Sequence, residues 1–185
     1  MATITRTLTY EEWLQMPTAG CGREEVVNGE LLTVPPPHLP HAAIVRRLML
    51  RFARQIDEKQ VELYGSEFGL IISREPLTAR SPDLALFWRE KMIVEDGMVW
   101  SPAGLVIEVI SKSETKRRKH EKLDDYARIG VPEAWLVSPE AEDVAIYQLA
   151  DGKLALSKIV NDGDLQPTQF PSVSIPVAEL WPEVA

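Results

Sequence analysis

Three charged residues stand where charge is costly or useful: Asp83 in Ser81-Pro82-Asp83-Leu84, Glu108 inside the apolar run GLVIEVIS, and Lys122 in the charged segment that follows. An ionised carboxylate taken out of water costs several kcal/mol unless it is paired or binds a metal. Two carboxylates on adjoining strands can share one Mg²⁺ or Mn²⁺, ions that prefer oxygen ligands and keep several waters. A metal so held polarises a phosphodiester and helps generate a hydroxide nucleophile. A nearby lysine stabilises charge developing on the phosphate or assists the attacking water. Each residue alone also has a plainer account. Asp83 could cap a turn after Pro82, Glu108 could pair with an arginine of a neighbouring helix, and Lys122 could be a surface charge.

The elements that must carry these residues follow from pattern. Thr9-Tyr10-Glu11-Glu12 has capping-box spacing and predicts a short helix from about Tyr10 to Gln15, ending before Pro17. Asn28-Gly29 between apolar pairs predicts a type I′ hairpin, because that turn needs two residues tolerant of positive φ. After the stiff PPPHLP connector, Ile44, Val45, Leu48, Phe52 and Ile56 recur at helical spacing and predict a helix from His41 to about Lys59. Its arginines 46, 47, 51 and 54 fall largely off the apolar stripe.

The runs VELYG, EFGLIIS and PDLALFW read as strands, and Pro82 sets Asp83 at the start of the third. GLVIEVIS is nearly continuous apolar sequence, as in a central strand covered on both faces. Ser111 through Glu114 offers a second capping box for a helix that runs to about Ile129 and closes at Gly130. EAWLVS is the next strand, and a parallel crossover should join it to GLVIEVIS. Asp151-Gly152 predicts a second I′ hairpin, and SIPVAELW should pack back on the body. The fold class is α/β or α+β with a mixed central sheet.

Composition narrows the function classes. The 185 residues fit one domain spanning 1–185, and 45% hydrophobic with 26% charged content is that of a globular chain. Net charge is −8, so nucleic acid could be met only through local basic clusters such as RRLMLRFAR (46–54) or KSETKRRKHEK (112–122). Solvated helix faces explain the same clusters. The one cysteine, Cys21, cannot form an internal disulfide. No run approaches the roughly 20 apolar residues of a membrane span, and MATITRTLTYEEW lacks the apolar run of a signal peptide. A cytoplasmic protein without membrane contact is expected. The five tryptophans read as core or seam residues, and no G-x-S-x-G or triad surrounds Ser111.

Taken in order, REEVVNGEL, the PPP…H connector, SPDLALF, LVIEVIS and EKLDDYARIGVPEAWLV, followed by the C-terminal hairpin, resemble the Uma-type family of restriction endonucleases, within the PD-(D/E)XK nuclease superfamily. The resemblance spans nearly the whole chain. It implies a restriction-endonuclease-like core with a mixed central β-sheet flanked by helices, plus N- and C-terminal β-hairpins. It also implies a Mg²⁺- or Mn²⁺-dependent DNA endonuclease that works as a homodimer. The alternative is an inactive binding or regulatory module on the same fold.

By the same resemblance Asp83 and Glu108 are metal ligands, with the backbone carbonyl of Val109 as a further one. The superfamily's simple pattern puts lysine two residues after the glutamate, where this chain has Ile110. In Uma-type sequences that lysine comes from the next helix, which points to Lys122, with Lys119 one turn earlier as the competitor. Glu25 matches an acidic position of the opening motif and His41 a recurring histidine, as a further acidic member and a candidate substrate contact. Lys119, Arg117 and Arg118 are the other candidate contacts to phosphate.

Overall fold

A computed structural model describes residues 7–16, 23–111 and 115–182. The first half comprises helix α1 (Tyr10–Leu14), strands β1 (Arg23–Val27) and β2 (Glu30–Val34), helix α2 (Leu39–Ala53) and strands β3 (Val61–Gly65), β4 (Leu70–Arg74), β5 (Leu77–Arg80) and β6 (Leu84–Trp88). Strands β7 (Val94–Glu95), β8 (Met98–Val99) and β9 (Leu105–Val109) precede helix α3 (Lys116–Arg128). Strands β10 (Glu133–Ser138), β11 (Asp143–Ala150), β12 (Lys153–Val160), β13 (Asp164–Leu165) and β14 (Ile175–Pro176) follow. The α+β class stands.

All five residues of β9 are buried, as its apolar run requires. It lies inside a six-stranded mixed sheet of order β12-β11-β10-β9-β6-β3, parallel to β10 and antiparallel to β6. Side chains alternate across a strand. Leu105, Ile107 and Val109 therefore join the core under α2 (Ile44, Leu48, Phe52), while Val106 faces the α3 side with Leu123, Tyr126 and Ala127. Glu108 belongs to that second face. Burying each of the three α2 side chains stabilises the fold by about 1.5–3 kcal/mol. Phe170, Val173, Ile175, Val177 and Leu180 complete the α2-side core, so the C-terminal segment does pack back. Trp135 is fully buried there, and the other four tryptophans sit at cluster edges.

A second six-stranded sheet, of order β2-β1-β5-β4-β8-β7, joins the expected N-terminal hairpin to β4, the strand expected at EFGLIIS, where pattern predicted one central sheet. The hairpin itself is as expected: Asn28 and Gly29 hold φ of 50° and 79°, the I′ signature. Asp151 and Gly152 repeat it at 49° and 74°. Strand β5 was not legible because LTAR is short, half polar and bracketed by Pro76 and Pro82, yet all four of its residues are buried between β1 and β4.

Three helix limits differ from expectation, the first being the start of α2 at Leu39 instead of His41. Helix α2 ends at Ala53 rather than near Lys59. There the Gln55 side chain clasps the Ser174 backbone, accepting from its N–H at 2.9 Å and donating to its C=O at 3.1 Å. Asp57 then turns the chain by accepting the Lys59 N–H at 3.0 Å. Helix α3 starts at Lys116 with Thr115 as its N-cap, accepting from the Arg118 N–H, instead of at Ser111. Glu114 of the expected box and Cys21 lie outside the described residues. Gly130 ends α3 at φ 87°, as expected. No helix among the described residues is long and apolar enough to cross a membrane.

Candidate active site

Strands β6 and β9 pair as Leu86↔Leu105, Ala85↔Val106 and Leu84↔Ile107, and there the ladder stops. One further step of the same register sets Asp83 opposite Glu108. Pro82 stands just before Asp83, outside β6. The Val109 N–H donates to the Asp83 side chain, at Oδ2 and 2.7 Å, so a carboxylate oxygen takes the next donor beyond the ladder.

Two more elements converge on Asp83. Arg23 of β1 donates from Nη1 to Oδ1 at 2.7 Å, and His41 near the start of α2 lies with Nε2 3.1 Å from Oδ2. Burial works to raise the Asp83 pKa, but the His41 hydrogen bond, the Arg23 charge and the Val109 N–H outweigh it and lower it to about 2. Glu108 is held from the other side. Lys122 donates to Oε2 at 2.7 Å, and the Tyr126 hydroxyl donates to Oε1. Lys122 and Tyr126 are four residues apart on α3 and so share one face. Burial raises the Glu108 pKa, and the Asp83 charge adds to this against the pull of Lys122. Burial, with the Glu108 charge beside it, pushes Tyr126 well above the usual phenol range.

Glu25 on β1 is the third buried carboxylate. It accepts from Arg80 Nη1 at 3.0 Å, and its Oε1 lies 4.0 Å from Lys122 Nζ. Arg80 also donates to Asp125 Oδ2 from Nε at 2.9 Å and from Nη2 at 2.7 Å. Arg128 lies 2.9 Å from the other Asp125 oxygen. The charges thus alternate in sign along Glu108, Lys122, Glu25, Arg80, Asp125 and Arg128. This arrangement lets three buried carboxylates persist where an unpaired one would not.

Of the residues singled out from sequence, Asp83, Glu108, Lys122, Glu25 and His41 come together. Lys119 is half-buried one turn back on α3, and Lys122 alone of the two pairs with Glu108. Arg117 is exposed and pairs with Glu121 at 2.7 Å, and Arg118 is exposed, so neither joins the cluster. Val109 meets Asp83 through its N–H. Ile110 packs against the α3-side core, where an ammonium would be stranded. Sequence reasoning missed Arg23, Arg80, Asp125 and Tyr126. Only Tyr126 left a signal, its i+4 spacing from Lys122. Among the described residues, no three His, Cys, Asp or Glu side chains form a group able to hold a metal.

The family model Uma2, described as "Putative restriction endonuclease", matches residues 10–178. The chain belongs to the Uma2 family. The Uma2 match runs from α1 past β14 and takes in every residue of the cluster. A crystal structure from Anabaena variabilis, reported as "a putative nuclease belonging to DUF820", superposes with a TM-score of 0.77. It is 16% identical, and the similarity covers 94% of this chain and 97% of that one. At that identity the likeness establishes the fold, and a Uma2 chain with a nuclease fold supports a nuclease. No curated protein matches the chain.

Proposed function

We propose that this Uma2 protein is a Mg²⁺-dependent endonuclease that hydrolyses DNA phosphodiester bonds. One observation carries the reading: Asp83 and Glu108 face each other at the open end of the β6–β9 ladder, with Lys122 between Glu108 and Glu25. The donor chemistry fits a hard divalent ion, since both side chains offer carboxylate oxygens. The C=O of a strand residue points to the same edge as its N–H, so the Val109 carbonyl is directed to the side where its N–H meets Asp83. Asp83, Glu108 and that carbonyl would hold Mg²⁺ or Mn²⁺. The ion supplies Lewis acidity toward a phosphodiester.

The remaining roles belong to side chains of this chain. Lys122 offers an ammonium to the negative charge that grows on the phosphate. Glu25 keeps that ammonium near Glu108, and Arg80 fixes Glu25. Tyr126 orients Glu108, His41 orients Asp83, and Arg23 balances the Asp83 charge. A cut through both strands needs two such sites, so the working form is a homodimer. Supercoiled plasmid incubated with Mg²⁺ or Mn²⁺ should be nicked or linearised by wild type, and EDTA should stop it. Asp83→Ala and Glu108→Ala should abolish cleavage while keeping the wild-type circular dichroism spectrum. Metal-dependent cleavage surviving in both variants overturns the assignment, and a monomeric sedimentation mass at working concentration overturns the dimer.

A second reading, a non-catalytic binding module, is favoured by one fact. Both Asp83 oxygens already accept hydrogen bonds, from Arg23, His41 and Val109. Calorimetric titration with Mn²⁺ separates the two. Uptake by wild type that is lost in Asp83→Ala supports the enzyme, and no uptake supports the module.

A further inference from the structure

We infer that the outer face of α2 binds the phosphate backbone of duplex DNA. The inference takes its ligand class from the nuclease reading but stands on a different surface.

Helix α2 and its C-cap hold Arg46, Arg47, Arg51 and Arg54 and no acidic residue, in a chain with 28 Asp and Glu against 20 Lys and Arg. Ile44, Leu48 and Phe52 turn the other side of the helix into the core. The four arginines therefore gather outside, where with Leu50 and Glu179 they line an open concavity of about 310 Å³. A structural purpose accounts for two of them. Arg47 donates to the backbone carbonyls of Glu179 and Trp181, and Arg51 pairs with the Glu179 carboxylate. These contacts fasten the C-terminal segment. Arg46 and Arg54 are exposed and have no such task among the described residues. Like charges three or four residues apart weaken a helix, as at Arg47 and Arg51 or Arg51 and Arg54. A cation is favoured at the helix C-terminus, where Arg51 and Arg54 stand; Arg46 lies in mid-helix without that reason, and an anionic ligand supplies one for it.

The spacing selects the ligand. Arg46 and Arg54 are eight residues apart, about 12 Å along a helix. One strand of B-DNA carries a phosphate per about 3.4 Å of axis, so the face spans roughly three to four phosphates. A single small anion cannot engage that length. The guanidinium fork suits phosphate oxygens bidentately. The same helix reaches the candidate site through His41, about 7.5 Å of helix rise before Arg46. DNA gripped here lies along the element that helps to position Asp83.

The test is fluorescence anisotropy of the full chain with a short labelled duplex in EDTA, across a salt series. Arg46→Ala/Arg54→Ala should bind at least about tenfold more weakly, and its slope of log K against log[salt] should fall by about two. Arg46→Lys/Arg54→Lys should keep the slope, as should the exposed control Lys153→Ala/Lys158→Ala. Thermal melts confirm that each variant is folded. Unchanged affinity and slope in Arg46→Ala/Arg54→Ala overturn the inference. Competition by polyglutamate as effective as by unlabelled duplex also overturns it and assigns the face to an acidic protein. If binding depends on these arginines while wild type cleaves nothing, the nuclease reading fails and this one stands. If wild type cleaves but binding ignores the arginines, this inference alone fails.

Discussion

Asp83 and Glu108 face each other across the open end of a strand pair, and their surroundings move their proton affinities in opposite directions. Asp83 accepts from a guanidinium, an imidazole and a backbone N–H, which favour its charged form. Glu108, more deeply desolvated and facing the Asp83 charge, is pushed toward its neutral form despite Lys122. Divergent neighbouring carboxylates are a mark of functional sites.

The pair should therefore give opposite pH dependences of stability. The folded Asp83 pKa of about 2 lies below its unfolded value. Its contribution, about 2–3 kcal/mol, is present above roughly pH 4 and is lost as pH falls toward 2. The stability advantage of wild type over Asp83→Asn should shrink over that window. The folded Glu108 pKa is raised, so its contribution is present below its unfolded value and is lost as pH rises through the folded one. The difference between wild type and Glu108→Gln should move against wild type as pH rises. Urea midpoints over a pH series report both, and parallel courses for the two variants would contradict the arrangement.

Lys122 and Lys119 separate in activity. Lys122→Ala should lower the metal-dependent cleavage rate by about 10²–10³-fold, the scale for losing one preorganised donor to transition-state charge. Lys119→Ala should stay close to wild type, because it is Lys122 that pairs with Glu108. Single-turnover cleavage at saturating DNA measures each, and the reverse order would reassign the lysine.

Arg80 should be the costliest ion-pair residue to remove. Arg80→Met leaves Glu25 and Asp125 buried without their shared guanidinium, and breaking such a network costs about 3–5 kcal/mol. Arg117→Ala, which breaks an exposed pair with Glu121, should leave the urea midpoint unchanged within error. Equal midpoint shifts for the two variants would refute the distinction.

Arg23 competes with any cation for Asp83, because its Nη1 holds Oδ1 at 2.7 Å. Arg23→Ala should bind Mn²⁺ about tenfold more tightly, equivalent to about 1.4 kcal/mol and within the range of a charge-assisted hydrogen bond. Calorimetry on the intact chain reads this directly. Weaker binding in the variant would make Arg23 a support of the site instead of a competitor.

Local chemistry made much of this protein readable in its sequence. Asn28-Gly29 and Asp151-Gly152 dictate their turns because few residue pairs tolerate the positive φ that such turns need. The run around Glu108 announces a strand buried on both faces, and a carboxylate inside it announces a site. The acidic pair, Lys122 and Glu25 were all visible as residues of interest. Their mutual arrangement was not. That Asp83 stands opposite Glu108 follows from a strand register, and a slip of one residue would turn either side chain to the other face. Lys119 and Lys122 are about one turn apart, so only the packing angle of α3 against β9 decides which ammonium arrives. Arg23 and Arg80 enter from a second sheet whose central strand is too short and too polar to signal itself. Backbone torsion and burial are written in neighbouring residues. Which distant charges meet is set by how sheets and helices pack, because the penalty for a buried charge is relieved only by the partner that packing delivers.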